Sequence, residues 1–187
     1  MGIQLIFVVE TNKACNSDWI YIKDTIEYFY SYERTQVKFS VVYMDGKGNY
    51  NSRKKEKEIQ KMISQYKAGA KSNKSRVIYC FDCDEYNIKQ ADREFLKAAQ
   101  KYCSDNAYDF VWFCKDVEQV YTGKQVVDTQ KKKEATDFKS KKRISGIDSK
   151  KLSKQSYGVG TSNIMTILDK YLELKCIWKI IYAISIL

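Results

Sequence analysis

Three carboxylates in this sequence stand where α/β proteins do chemistry. Glu10 follows the apolar run IQLIFVV (3–9), and Asp82 and Asp84 follow the apolar run RVIYCF (76–81). Short runs of that kind read as strands buried on both faces of a parallel sheet. Open α/β sheets bind ligands outside the carboxyl ends of their strands, so the three acids are expected on one sheet edge. Asp82 and Asp84 are two residues apart and in extended backbone point the same way, with Cys83 pointing the other way. Carboxylates converging on one point repel each other unless a cation neutralises them. Hard oxygen donors without histidine select Mg²⁺ or Mn²⁺, and such an ion can bind a phosphate oxygen and activate water. Glu10, Asp82 and Asp84 are therefore the candidate metal ligands and catalytic groups.

The elements that must position these acids follow from periodicity. After the first strand, Trp19, Ile22, Ile26, Phe29 and Tyr30 recur at helical spacing, with Ser17 or Asp18 available as a cap. Residues 37–44 are β-rich, 45–52 are loop-like, and 53–68 form a basic helix. The second acid-ending strand is followed by an amphipathic helix over 88–103, a fourth strand over 109–114 and a short helix near 116–122. This alternation predicts an α/β fold with a central, mostly parallel sheet of about four strands and helices on both faces. Residues 1–127 read as that domain. Residues 128–187 read as a Lys-rich flexible segment and a C-terminal helical arm packing on the same domain. Within them, 128–158 lack periodicity and suggest a mobile or weakly ordered insertion, while 161–173 suggest a capped amphipathic helix. The apolar tail over 174–187 is interrupted by Lys175 and Lys179 and is too short for an integral membrane span, so a buried terminal helix or strand is expected.

Composition narrows the chemistry. The chain has 187 residues and a formal net charge of +10, placed unevenly. Residues 47–74 and 131–154 are strongly basic, and the remainder is acidic. A basic surface around acidic groups suits a polyanion such as nucleic acid; the plainer alternative is two solvated Lys-rich faces. Candidate nucleic-acid contacts are Lys47, Arg53, Lys54 and Lys55, then Lys131, Lys132 and Lys133, with Lys115 and Lys124 flanking the acids. The chain contains no His, which excludes Ser-His-Asp triads, Cys-His pairs and His-ligated zinc. Six Cys without a recognisable secretory signal suggest a cytoplasmic chain with reduced thiols. Cys80 and Cys83 form a C-x-x-C across a strand end, where core thiols are expected.

Several further residues compete for roles. Glu118 follows the fourth strand and reads equally as a fourth catalytic acid or as a helix-surface charge. Asp116 is a weaker candidate, and Asp45 beside Gly46 reads as a turn residue. The segment DGKGNYNSRKK (45–55) could wrap a phosphate but lacks P-loop spacing, and the first β–α turn, ETNKACNS, lacks G-x-G-x-x-G. Tyr121 is the one tyrosine near the acids that merits a test as a nucleophile.

IFVVE (6–10) followed by helix, strand, helix and VIYCFDCDE (77–85) resembles the Toprim domain, most closely the small RloB-like and OLD-type members. The resemblance covers about residues 3–125. It implies a Rossmannoid sheet, Glu10 as general acid/base or metal ligand, and Asp82 and Asp84 as metal ligands. In the RloB-like members a later strand leads to a glutamate-bearing segment, here FVWFCKDVEQVYTGK with Glu118. Thr11 stands where the family usually carries glycine. The expected function is Mg²⁺-dependent phosphoryl transfer on DNA or RNA by a Toprim-type nuclease, in phage defence or a mobile element. The alternatives are a non-catalytic Toprim-like module that binds nucleic acid, a partner ATPase or a second copy of itself, and a small-nucleotide sensor.

Overall fold

The strands alternate between two cores. In β1 (Ile3–Val9), Leu5, Phe7 and Val9 enter one apolar cluster, while Ile6 and Val8 enter a second. In β4 (Lys74–Asp82), Ile78 and Cys80 go to the first cluster, and Val77, Tyr79 and Phe81 to the second. In β5 (Asp109–Cys114), Val111 and Phe113 separate in the same way from Trp112 and Cys114. A sheet that is apolar on both faces must be covered on both. In the computed structural model, which describes residues 2–175, helices do this. α1 (Ser17–Phe29), α4 (Val117–Thr122), α5 (Asp128–Ser140) and α6 (Ile164–Leu168) cover the first face. α2 (Arg53–Gly69) and α3 (Gln90–Asp105) cover the second.

The main sheet has the order β3-β1-β4-β5-β6, with β3 spanning Val37–Tyr43. β3, β1, β4 and β5 are parallel, and the two-residue β6 (Thr161–Ser162) runs antiparallel to β5. From β1 the chain first steps outward to β3, then crosses back to place β4 on the other side of β1. The order thus reverses between β1 and β4, and at such a switch point the helices diverge and leave a crevice at the carboxyl edge. A second, small antiparallel pair joins β2 (Tyr30–Ser31) to β7 (Glu173–Leu174). Among the described residues no helix is long and apolar enough to cross a membrane.

The fold departs from the sequence expectation in three places. The main sheet has five strands, not about four, because β6 adds to the β5 edge. The Asn163 side chain accepts from the Trp112 N–H at 2.9 Å and donates to the Phe110 carbonyl at 2.9 Å, so an amide side chain extends the pairing. Residues 128–158 are not an irregular insertion but carry α5 and two 3₁₀ turns, Arg143–Gly146 and Ser149–Lys151. Only Ala135 and Phe138 of α5 are buried, too few to register as a periodic stripe. Phe138 meets Tyr21 edge-on at 5.1 Å and Tyr121 at 5.8 Å, which docks the helix. The expected helix over 161–173 is instead β6, the five-residue α6 and β7. The apolar tail beyond Lys175 lies outside the described residues.

α2 offers a direct test of packing. Ser52 caps its start by accepting the Lys55 N–H, and Ile59 is its one buried residue. Ile59→Ala should cost about 2–5 kcal/mol, as buried aliphatic truncations do, and the loss is measurable by urea denaturation.

Candidate active site

The acids that end β1 and β4 meet at the switch point. The Glu10 Oε1 accepts the Asp82 backbone N–H at 2.9 Å, which ties the two strand ends together. The Asp82 Oδ1 in turn accepts the Val117 N–H at 3.0 Å, where α4 leaves β5. Both residues line an open cleft of about 480 Å³ with Thr11, Asn12, Cys15, Asp45, Gly46, Asp128 and Lys131. Glu10 and Asp82 are partly exposed and so reachable from this cleft.

Two further acids stand behind them. Asp18, at the start of α1, is buried; its Oδ2 accepts the Thr11 N–H at 3.1 Å and its Oδ1 accepts the Ser17 hydroxyl at 3.2 Å. Glu118, in the first turn of α4, is 0% exposed. Neither of its carboxylate oxygens has a hydrogen bond. Its nearest cation is Lys131, whose Nζ lies 3.6 Å from Oε2.

Burial and crowding set the charge of this group. Burial pushes Glu10 up to about 8, with Asp18 and Asp84 adding repulsion and the Asp82 N–H and Lys47 opposing it. Burial likewise raises Glu118 to about 7, against the pull of Lys131. Asp82 is raised well above the usual carboxylate range by burial, then by Glu10, Asp18 and Glu118. Asp18 is raised by burial as well, with the Thr11 N–H and Lys131 opposing. Burial works against the charge of Lys131, but Glu118, Asp82, Asp128 and Asp18 outweigh it and hold the ammonium above its ordinary value. The cluster is short of positive charge.

Asp84 does not share the direction of Asp82. The strand ends at Asp82, and Asp84 has a left-handed backbone, φ 47°. Its carboxylate pairs with Lys47, which also contacts Asp92 of α3 at 3.2 Å and lies over the Phe95 ring. The extended-backbone argument that aligned the two aspartates therefore fails two residues past the end of the strand. Among the described residues, no three acidic or thiol side chains stand close enough together to cage a metal ion as they are.

The other nominated residues scatter around the cleft. Asp116 accepts the Gln119 N–H at 2.6 Å and serves as the cap of α4. Asp45 is exposed in a left-handed turn at the cleft rim. Lys55 lines an adjoining depression with Asn12, Lys13, Ala14, Tyr43 and Asp45. Lys132 donates to the Ala14 carbonyl at 2.9 Å, so both basic segments reach the loop that follows Glu10. Arg53, Lys54, Lys124 and Lys133 are exposed, whereas Lys115 is paired with Glu85 at 3.0 Å. Tyr121 lies in the core, stacked on Tyr21 at 5.0 Å, with its hydroxyl 2.6 Å from the Thr25 hydroxyl oxygen. Cys80 and Cys83 belong to opposite sheet faces, and Cys83 instead meets Cys114 at 2.7 Å.

Two site residues were misread from sequence. Asp18 looks like a helix cap, and its one signal is its position a short loop after Glu10. Lys131 looks like one of three adjacent surface lysines. The structure separates it from Lys132 and Lys133 because it shares the inward face of α5 with Ala135 and Phe138, four and seven residues on. The chain matches no family model, no curated protein and no solved structure.

Proposed function

We propose that this protein is a divalent-metal-dependent phosphoryl-transfer enzyme of Toprim type that acts on nucleic acid as a nuclease. The observation that carries the reading is the group of acids at the β1–β4 switch point, raised by burial and crowding and holding in Glu118 a buried carboxylate without hydrogen bonds. Such a donor set fits a hard cation. Mg²⁺ needs only one or two protein carboxylates, because water and substrate phosphate complete its shell. Glu10 and Asp82 are the two that face the cleft. Bound there, Mg²⁺ or Mn²⁺ would polarise a phosphate oxygen and lower the pKa of a water.

The chain's own residues do the rest. In the metal-free protein burial raises Glu10 to about 8; beside a bound ion it would serve as an ionised ligand or as the general base that takes a proton from the attacking water. The Asp82 N–H holds its Oε1 in place. Lys13, Lys55 and Lys132 surround the loop after Glu10 and suit contacts to flanking phosphates. The Thr11 N–H already serves Asp18, so that turn is not the phosphate cradle a glycine there would allow.

The test is direct. The chain should bind Mn²⁺, followed by loss of the free-ion paramagnetic resonance signal, and should cleave labelled DNA or RNA only with the metal present. Lys55→Ala and Lys132→Ala should each weaken nucleic-acid binding evenly across sequences and lower the salt slope by about one. Non-catalytic docking of nucleic acid is the second reading, favoured by Lys47 and Lys131 already neutralising acids of the cluster. Salt-dependent binding without metal uptake or cleavage would select it.

A further inference from the structure

We infer that Lys131 is a tethered cation that takes the place of a second divalent ion, so that the acidic site accepts one metal ion and not two. This rests on the metal reading of Glu10 and Asp82 above.

The acids divide into a front pair and a rear pair. Glu10 and Asp82 line the cleft, and their backbone tie leaves them side by side. Asp18 and Glu118 are buried behind them on α1 and α4. Glu10, Asp18 and Glu118 all act electrostatically on Asp82, so the four acids form one charge cluster, and its rear pair already has a cation. The Lys131 Nζ lies 3.6 Å from the Glu118 Oε2 and 3.5 Å from the Asp128 Oδ1, and it acts electrostatically on Asp82 and Asp18 as well.

Lys131 does not reach this place as a loose surface chain. It shares one face of α5 with Ala135 and Phe138, both buried against the first core. Phe138 is wedged against Tyr21 and Tyr121, and α5 packs along α1, so the root of the Lys131 side chain is fixed. A lysine on the buried stripe of a helix is unusual unless it is paired. Here its partners are the acids at the rear of the site. The 3.6 Å approach to Glu118 makes no hydrogen bond, so both Glu118 oxygens remain open donors. Removing the ammonium would leave them to a second ion. Lys131 therefore sets how many ions the site takes, separately from Glu10 and Asp82, which set whether it takes any.

The experiment is Mn²⁺ titration of the full chain, read by paramagnetic resonance of free Mn²⁺ and by calorimetry. Wild type should bind one Mn²⁺. Lys131→Met, which keeps the apolar stem, should bind a second Mn²⁺. Lys131→Arg should behave as wild type. Two ions in wild type would overturn the inference, whether or not Lys131→Met folds. So would unchanged stoichiometry in a folded Lys131→Met, which would leave the metal reading standing. Absence of Mn²⁺ binding in both proteins would defeat the metal reading itself, and this inference with it.

Discussion

Asp82→Asn and Glu10→Gln should each abolish metal-dependent cleavage of nucleic acid. The expected loss is about 10²–10³-fold or more, in the range seen when a group that stabilises transition-state charge is removed. Circular dichroism should show the fold intact, since both side chains are partly exposed and neither fills the apolar core. Asp84→Asn is the informative contrast. Its carboxylate is held by Lys47, which also contacts Asp92 of α3, and it does not line the cleft with Glu10 and Asp82. It should lose less activity than Asp82→Asn. A rate within about threefold of wild type for Asp82→Asn would exclude metal-assisted phosphoryl transfer at this site. A loss in Asp84→Asn as deep as that in Asp82→Asn would contradict the orientation described for Asp84.

The second large effect is on stability. In the metal-free protein, unfolding free energy should fall as pH rises from about 4.5 to about 8. The sign follows from proton counting. Glu118 has an ordinary value of 4.5 and stands at about 7 in the fold. Between those values the unfolded chain has released this proton and the folded chain has kept it, so raising pH favours the unfolded state. The penalty is complete once pH passes the folded value. For Glu118 it amounts to about 3 kcal/mol, at 1.36 kcal/mol per pH unit. Glu10, Asp82 and Asp18 shift in the same direction for the same first cause, burial. A domain has only about 5–15 kcal/mol in total, so urea midpoints in EDTA at pH 5.5 and pH 8 should differ visibly. Glu118→Gln should flatten the profile by about 3 kcal/mol. Millimolar Mg²⁺ should restore stability at pH 8, because metal uptake is linked to release of those protons. A flat profile in the metal-free wild type would show that these acids are not burdened as described.

These two expectations and the Lys131 titration probe different charges of one cluster. The cleavage variants ask whether the front pair works on substrate. The pH profile asks whether the acids of the cluster outnumber their cations. The Mn²⁺ count asks whether Lys131 supplies one.

Much of the frame could be read from the residues alone, because it depends on local pattern. Unbroken apolar runs ending in Glu10 and Asp82 imply a covered parallel sheet, and strand-end acids in such a sheet share an edge whatever the details of packing. The absence of His excludes whole mechanisms without reference to any fold. What tertiary structure alone decided lies one step from those local rules. Alternation aligns Asp82 with Asp84 only while the backbone stays extended, and the left-handed turn at Asp84 ends that two residues past the end of the strand. α5 escapes periodicity because two buried residues, Ala135 and Phe138, suffice to dock it against Tyr21 and Tyr121. Asp18 stands only a short loop after Glu10, but Lys131 enters the site from an element far from both acids in sequence, and no local spacing encodes that meeting. The opening acids thus remain Glu10 and Asp82 at the edge of the sheet. Which other charges face them was decided by how α1, α4 and α5 close over the first core, since burial, not sequence distance, determines which charges act on each other strongly.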